Sequence, residues 1–445
     1  MQDEEVRLTR FIESIVGGTL VSLSRQARWR KSWFATVERN GETLPIYVRG
    51  DKSLDAEPFP GLRREADILQ LLEANGIPAP HVYGYCEDPM AIVMDLARGD
   101  RDVGKAASDA ERQAVAEQYI AVLATMHSLD PALFAAKGIA IPRTPEDIVL
   151  AYIHPNQRLY DRTKRSPEPM IEFALRWLRR NVPQGRTRAA FIHCDAGQFL
   201  FEEGRLTAVY DFEASHIGDP LADLAALRLR EGFEPIGADI SHLLRHYATL
   251  TGEAIDSYAL SYHTAAFALT SVMSLAGLLR EPDKHTLQME YLVWDLMTRR
   301  ATLWAIAECM GITLQASPPK DIDSSRDGVV IDVLQQVLAR LDVQSDFDKF
   351  QLQSAQQLSE WLRSLESGAS IAGQRDLVRV ADILGHRPRN WQEADAELER
   401  FVMAAGPDDD ALLLRYFADQ LEERIALALP VRHRLEGYAL APVVL

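Results

Sequence analysis

Apolar residues in the first third of the chain switch between two spacings. Val6, Phe11, Ile12 and Ile15 share a helical face across residues 4–16, and Gly17-Gly18 stops the run. Residues 19–24, 31–39 and 44–49 read as three strands, the last two joined by Asn40-Gly41, a strong hairpin signal. Ile68, Leu69, Leu71 and Leu72 mark a helix over 62–75, ended by Asn75-Gly76. Residues 81–85 and 91–94 complete a five-stranded lobe. From residue 109 the helical period takes over, across 109–128, 145–182, 222–230, 241–251, 255–279 and 286–311. Phe267, Met273, Leu275, Trp294, Met297 and Trp304 are expected to be mostly core. Residues 314–328, LQASPPKDIDSSRDG, have the composition of a linker. Beyond them, 331–341, 347–365, 374–384, 391–405 and 411–427 carry apolar faces and predict a helical bundle for docking or self-association.

One stretch interrupts the helical half. Residues 191–223 read FIHCDAGQFLFEEGRLTAVYDFEASHIGDPLAD. Residues 199–201 and 206–212 are strand-like and joined by Glu202-Glu203-Gly204-Arg205, a turn signal. A hairpin here puts Asp195 just before its first strand and Asp211 at the end of its second. Both carboxylates then sit at one end of a small sheet. With the amide of Gln198 between them, they are able to hold a divalent metal by oxygen and leave one base free. Phosphoryl transfer needs such a set, because the protein mostly positions groups and neutralises charge. The bland reading is a hairpin with acidic turn residues.

His193-Cys194-Asp195, Asp211-Phe212-Glu213 and Gly218-Asp219-Pro220-x-x-Asp223 resemble the motifs of the aminoglycoside phosphotransferase and choline kinase-like family. That family reads H-G-D-x-x-x-x-N, D-x-E and G-D-P-x-x-D, and the resemblance spans roughly residues 15–315. It implies an α+β, two-lobed protein-kinase-like fold, with a small antiparallel sheet lobe and a large helical lobe. The C-terminal helices would add an all-α domain. The expected division is 1–97 for the nucleotide-binding lobe and 98–315 for the catalytic lobe, with a linker at 316–328 and the helical domain at 329–445. By the resemblance Asp195 is the catalytic base, His193 shapes its loop, and Asp211 holds magnesium. Two departures stand out. Cys194 replaces the family's Gly, and the loop after Asp195 is two residues short, so Gln198 falls where the family has its metal-binding Asn. Arg49 and Glu65 match the family's phosphate-binding pair. Met94, Asp95 and Ala97 match the hinge that holds adenine. Asp219 and Asp223 are expected to brace the loop and cap the next helix.

The hairpin tip at 25–30 has no glycine, so Arg28, with Arg30 and Lys31, would face the ATP phosphates with side-chain charge. A basic run follows in the helical half, with Arg158, Arg162, Lys164, Arg165, Arg176, Arg179, Arg180, Arg186 and Arg188. Either it is a solvated face, or Arg162 and Arg165 hold an anionic acceptor by charge-assisted bonds. His127 is expected as a helix-end residue.

Composition narrows the function classes. A formal net charge of -17 argues against sequence-independent nucleic-acid binding, which needs clustered Lys and Arg. The chain's first residues are acidic and lack an apolar signal region, and no run of 18 apolar residues appears, so no membrane span is expected. Three scattered cysteines, Cys86, Cys194 and Cys309, fit a reducing cytoplasm, with Cys194 as a packed thiol. The expectation is an ATP- and magnesium-dependent kinase of a hydroxylated small molecule, a hydroxyacyl-coenzyme A-like acceptor being favoured. An aminoglycoside kinase and a nucleotide-binding pseudokinase that acts as an interaction module are the alternatives.

Overall fold

The computed structural model describes residues 2–26, 30–51, 61–280, 288–316, 328–344 and 346–445. Arg28 and most of the 316–328 stretch lie outside them. The described chain falls into two compact units. One comprises Met1–Pro155, Gln184–Leu260 and Ala441–Leu445, and the other Asn156–Pro183 and Ser261–Leu440. These units cut across the domain boundaries expected from the sequence.

The first unit opens with the helix Gln2–Val16, followed by β1 (Thr19–Arg25), β2 (Ser32–Arg39) and β3 (Glu42–Gly50). After the helix Leu62–Ala74 come β4 (Val82–Glu87) and β5 (Met90–Asp95). The five strands form an antiparallel sheet in the order β1-β2-β3-β5-β4. Asn40 and Gly41 both take positive φ, 55° and 79°, and Arg39 pairs with Glu42. That is the two-residue turn whose twist matches the strands it joins. Alternate residues of β2 and β3 point inward, so Trp33, Ala35, Val37, Ile46 and Val48 pack with Leu8, Ile12 and Val16 of the first helix. Arg49 is thereby carried at the end of β3, paired across the sheet with Ile92.

The rest of the first unit is helical except for two short pairings. β6 (Ala190–Ile192) pairs with β9 (His216–Gly218), and β7 (Phe199–Glu202) pairs with β8 (Arg205–Val209). The helix Asp109–Ser128 packs against β6, β8 and the helix Ile240–Thr251. Ser108 caps it by accepting from the Glu111 amide. The last residues return to this unit, where Arg228 Nε donates to Ala441 O at 2.8 Å and Arg245 Nη1 to Val444 O at 2.6 Å.

In the second unit the helix Pro169–Arg180 packs against Trp391–Ala404, and Gln288–Cys309 against Asp410–Ala426. Ion pairs fasten these contacts. Arg300 makes a bidentate pair with Glu422 at 2.7 Å through both Nε and Nη2, and Lys164 bridges Glu172 (2.6 Å) and Glu399 (2.8 Å). Arg180 pairs with Asp410. Several members of the basic run are therefore structural cations. The two helices expected at 347–365 and 374–384 are one, Asp346–Leu384. Between them there is no proline, and Gly368 allows close approach instead: a Cβ there would lie 2.4 Å from Leu427 Cδ2. Met273 and Met297 are core, whereas Trp294 is exposed. Ser257–Leu279 is long and apolar enough to cross a membrane, with mean hydropathy 1.3, although it has no unbroken run of 18 apolar residues; 61% of its most apolar window is buried inside the fold.

Removing one partner of a buried ion pair leaves an uncompensated charge, whereas replacing both by apolar groups is often neutral. Arg300 and Glu422 are 5% and 4% exposed at their side chains. Arg300→Met should therefore destabilise the second unit by about 3–5 kcal/mol. The double change Arg300→Met with Glu422→Leu should recover most of that loss, read as the melting temperature of each variant.

Candidate active site

Two loops carry the expected chemistry. The loop 193–198 runs from β6 into β7, and the loop 210–215 runs from β8 into β9. Because β7 and β8 are antiparallel, with Phe199 opposite Val209, both loops emerge at the same end of the hairpin. The Tyr210 amide donates to Gln198 O at 3.2 Å and ties them together. The loops that carry Asp195 and Asp211 thus meet for a purely local reason, and of the two carboxylates Asp211 lines the cavity described below.

One buried carboxylate holds the first loop. Asp223, fully buried in the first turn of the helix Leu221–Glu231, accepts from the amides of His193 (2.9 Å) and Cys194 (2.7 Å) and from His127 Nε2 (2.9 Å). His127 Nδ1 lies 2.7 Å from the Tyr247 hydroxyl, so His127 is part of this brace. Burial works against the Asp223 charge, but the His127 hydrogen bond and the nearby imidazoles outweigh it and hold the carboxyl below its usual range. Asp219 makes a bidentate pair with Arg186, at 2.7 and 2.6 Å, and accepts from the Leu221 amide.

His193 joins the two loops. Its Nε2 is 2.9 Å from the Tyr210 carbonyl, which only accepts, so Nε2 carries the proton. Nδ1 then accepts from the Tyr119 hydroxyl at 3.0 Å, and that hydroxyl accepts from the Gly197 amide at 2.7 Å. Cys194 has φ 77°, the left-handed region that explains why the family uses glycine there. A side chain in this conformation costs about 1–2 kcal/mol, and the Asp223 contact fixes it in place. Burial pushes the Cys194 thiol well up, so it is a packed, protonated thiol. None of Cys86, Cys194 and Cys309 forms a disulfide.

The second loop meets a charge cluster. Arg49 donates from Nε to Glu65 at 2.9 Å and from Nη2 to Asp211 at 2.5 Å and Glu213 at 3.2 Å. Burial opposes the Arg49 charge, but Asp211, Glu65 and Glu213 more than restore it and keep the guanidinium protonated. Arg30 also pairs with Glu213. Lys31 turns instead to Glu4 at 2.8 Å, so neither of the two described cations of the hairpin tip stands free as expected. Arg64 Nη2 adds bonds to the Glu213 and Ser215 carbonyls at 3.0 and 3.2 Å, so three arginines face the three carboxylates Glu65, Asp211 and Glu213.

Seven of the expected residues line one cavity of about 430 Å³: Arg49, Glu65, Met94, Asp95, Ala97, Gln198 and Asp211. Phe34, Leu69 and Leu200 supply apolar walls. The Asp95 amide donates to His81 O at 2.9 Å, and its carboxylate accepts from Tyr83 at 2.6 Å. The Ala97 amide has no partner among the described residues. Gln198 Nε2 donates to Asp195 Oδ2 at 2.8 Å, which leaves its carbonyl oxygen for another ligand. The oxygen donors of Gln198 and Asp211 fit a hard divalent cation. Arg162 and Arg165 belong to the other unit and are exposed, with Arg165 donating to the Arg162 carbonyl at 3.1 Å; they line neither cavity described here.

A second cavity, of about 660 Å³, is lined by Arg101, Asp102, Arg112, Glu231, Phe233 and Glu234, among others, and shares Arg101 with the first. Sequence reasoning missed Arg230, whose Nη2 pairs with Asp195 Oδ1. It also missed Tyr119. For Arg230 a signal existed: it lies seven residues after Asp223 in an apolar helix, two turns along the same face.

Because the Asp223 carboxyl is held below its unfolded value, it contributes stability that is present above pH ~4, the usual carboxylate range, and is lost as pH falls through the folded value. Asp223→Asn should lower stability at neutral pH and flatten its further decline below pH ~4. Thermal unfolding of both proteins across that range measures this.

Comparison with known proteins follows the same outline. Residues 33–263 match the family model described as the phosphotransferase enzyme family. Acyl-CoA dehydrogenase family member 11 of Gallus gallus is 32% identical over 176 residues, which make up 36% of this chain and 22% of that protein. The Homo sapiens protein of the same name is 29% identical over 178 residues, 37% of this chain and 22% of that one. The chain thus matches less than a quarter of the length of these curated relatives. Among solved structures, a Ralstonia eutropha JMP134 protein assigned to the aminoglycoside phosphotransferases has a TM-score of 0.53 at 19% identity, covering 70% of this chain and 99% of that one. The family match takes in more than half of the chain, including both loops and the Arg49–Glu65 pair, and the chain belongs to the phosphotransferase enzyme family, with its protein-kinase-like fold.

Proposed function

We propose that this phosphotransferase moves the γ-phosphate of ATP to a hydroxyl of a small metabolite. The observation that carries the reading is the meeting of seven hinge, cation-pair and loop residues around one cavity. Adenine would lie against Met94 and the hinge, taking the Ala97 amide. Arg49, oriented by Glu65, would bind the phosphates. Asp211 and Gln198 would hold magnesium, which supplies positive charge to the phosphate oxygens when bound. Asp195 would orient the acceptor hydroxyl and take its proton as that oxygen bonds to the γ-phosphorus and the β–γ bridge breaks. His193 keeps both loops in register.

The relatives named for acyl-CoA dehydrogenases favour a hydroxylated acyl thioester as acceptor. A second reading, an aminoglycoside, rests on the larger cavity, where the three carboxylates Asp102, Glu231 and Glu234 outnumber the two arginines Arg101 and Arg112. Parallel assays with a hydroxyacyl-coenzyme A panel and an aminoglycoside panel separate the two; turnover with neither would overturn the proposed acceptor classes. Three cysteines outside any disulfide support a cytoplasmic setting. The exposed apolar stripe Val329, Val330, Val333 and Val337 supports self-association through the C-terminal helices, which sedimentation tests.

Two variants test the mechanism. Asp195→Ala should lower turnover by about 100- to 10,000-fold, as for a lost general base, and keep nucleotide binding. Near-normal turnover would remove Asp195 from the reaction. Gln198→Asn restores the family's residue type but shortens the reach in a loop two residues short. It should raise the magnesium concentration needed for half-maximal turnover; unchanged magnesium dependence would take Gln198 out of the metal set.

A further inference from the structure

Arg230 lies one residue before the end of the helix Leu221–Glu231, between Leu229 and Glu231, with its side chain only 7% exposed. Each of its nitrogens has a partner in the first unit. Nε donates to Ala196 O at 2.9 Å, Nη2 pairs with Asp195 Oδ1, and Nη1 pairs with Glu234 Oε2. Glu234 is held in turn by Arg101, which lines both cavities. The loop makes room for this side chain: Gly197 has φ 98°, and a Cβ there would lie 2.5 Å from Arg230 Cδ. Arg230 lines neither cavity.

Burying a guanidinium costs several kcal/mol of lost hydration, and an apolar residue would fill the same helix face without that cost. What Arg230 adds is direction. The Asp195 carboxylate has one oxygen on Arg230 and the other on Gln198 Nε2, so donors on both sides fix its plane. The same guanidinium grips the backbone carbonyl of the next residue, so side chain and main chain of the loop are set together. We propose that Arg230 is a positioning residue for phosphoryl transfer, orienting the Asp195 carboxylate toward the acceptor hydroxyl, with Glu234 as its anchor. This rests on the reading of Asp195 as the base. Misplacing a reacting group by about 1 Å costs on the order of 100-fold in rate, which sets the size of the effect.

The test is a double-mutant cycle on the full chain, reading ADP release from MgATP with water as acceptor. Arg230→Gln should lower kcat by about 100-fold, the size expected for a misplaced base, and leave KM for MgATP within about 2-fold. In an Asp195→Asn background the same change should cost less than about 3-fold, because its effect runs through Asp195. Arg230→Lys, which keeps a donor for Asp195, should recover part of the loss. Equal losses in both backgrounds, with Asp195→Asn itself impaired, would overturn the proposal and leave the base in place. Full activity of Asp195→Asn would instead overturn the reading of Asp195 on which the proposal rests. Should Arg230→Gln fail to fold, Glu234→Gln, which releases the anchor only, decides: a smaller kcat loss that vanishes in the Asp195→Asn background supports the proposal, and one that persists there overturns it.

Discussion

The carboxylate of Asp223 is the constraint on which the site depends. It is fully buried, and an isolated charge there would cost several kcal/mol. Three donors offset that cost: the amides of His193 and Cys194 and the imidazole of His127. The two amides belong to the loop that ends in Asp195. A strained left-handed residue, Cys194, is therefore held by a charge–dipole contact, and Asp195, which follows it, inherits a fixed direction. His193 extends the same rigidity to the second loop through the Tyr210 carbonyl.

The helix that bears Asp223 contributes twice. Asp223 grips the loop from its first turn, and Arg230, two turns on, grips Asp195 and Ala196. On the opposite side of the chemistry the Arg49 cluster gathers three carboxylates around one guanidinium, with a second arginine on Glu213. One set fixes a carboxylate, and the other sets Arg49 and Asp211 together on the wall of the cavity. A phosphotransferase needs both, since the transferred group is highly charged and the protein does little covalent work.

The basic run at 158–188 shows how the same residue type serves a different end in the second unit. Lys164 and Arg180 have carboxylate partners there, and Arg176 donates to the Ala405 carbonyl at 3.4 Å. With Arg300 and Glu422 they bind the C-terminal helices to helices that precede residue 310. The Arg300–Glu422 pair is the buried one, and such a pair contributes little net stability against apolar replacement but penalises any arrangement that separates its members, which makes the pairing of these helices specific.

The sequence by itself determined what depends on near neighbours. The Asn40-Gly41 hairpin, the alternation of β2 and β3, and the β7–β8 hairpin that brings the loops of Asp195 and Asp211 together are all set within about twenty residues, and all were legible. The motif order also located Arg49, Glu65, Met94, Asp95 and Ala97, which line one cavity. Tertiary structure decided what depends on residues far apart in the chain. Tyr119 reaches His193 across 74 positions and His127 reaches Asp223 across 96, and no local pattern distinguishes them from ordinary helix residues. Whether an arginine binds substrate, pairs with a carboxylate or orients a base depends on which acceptor packs against it, and only the folded chain supplies that acceptor. The continuous helix Asp346–Leu384 follows the same logic, because Gly368, between the two expected helices, is the place where Leu427 packs.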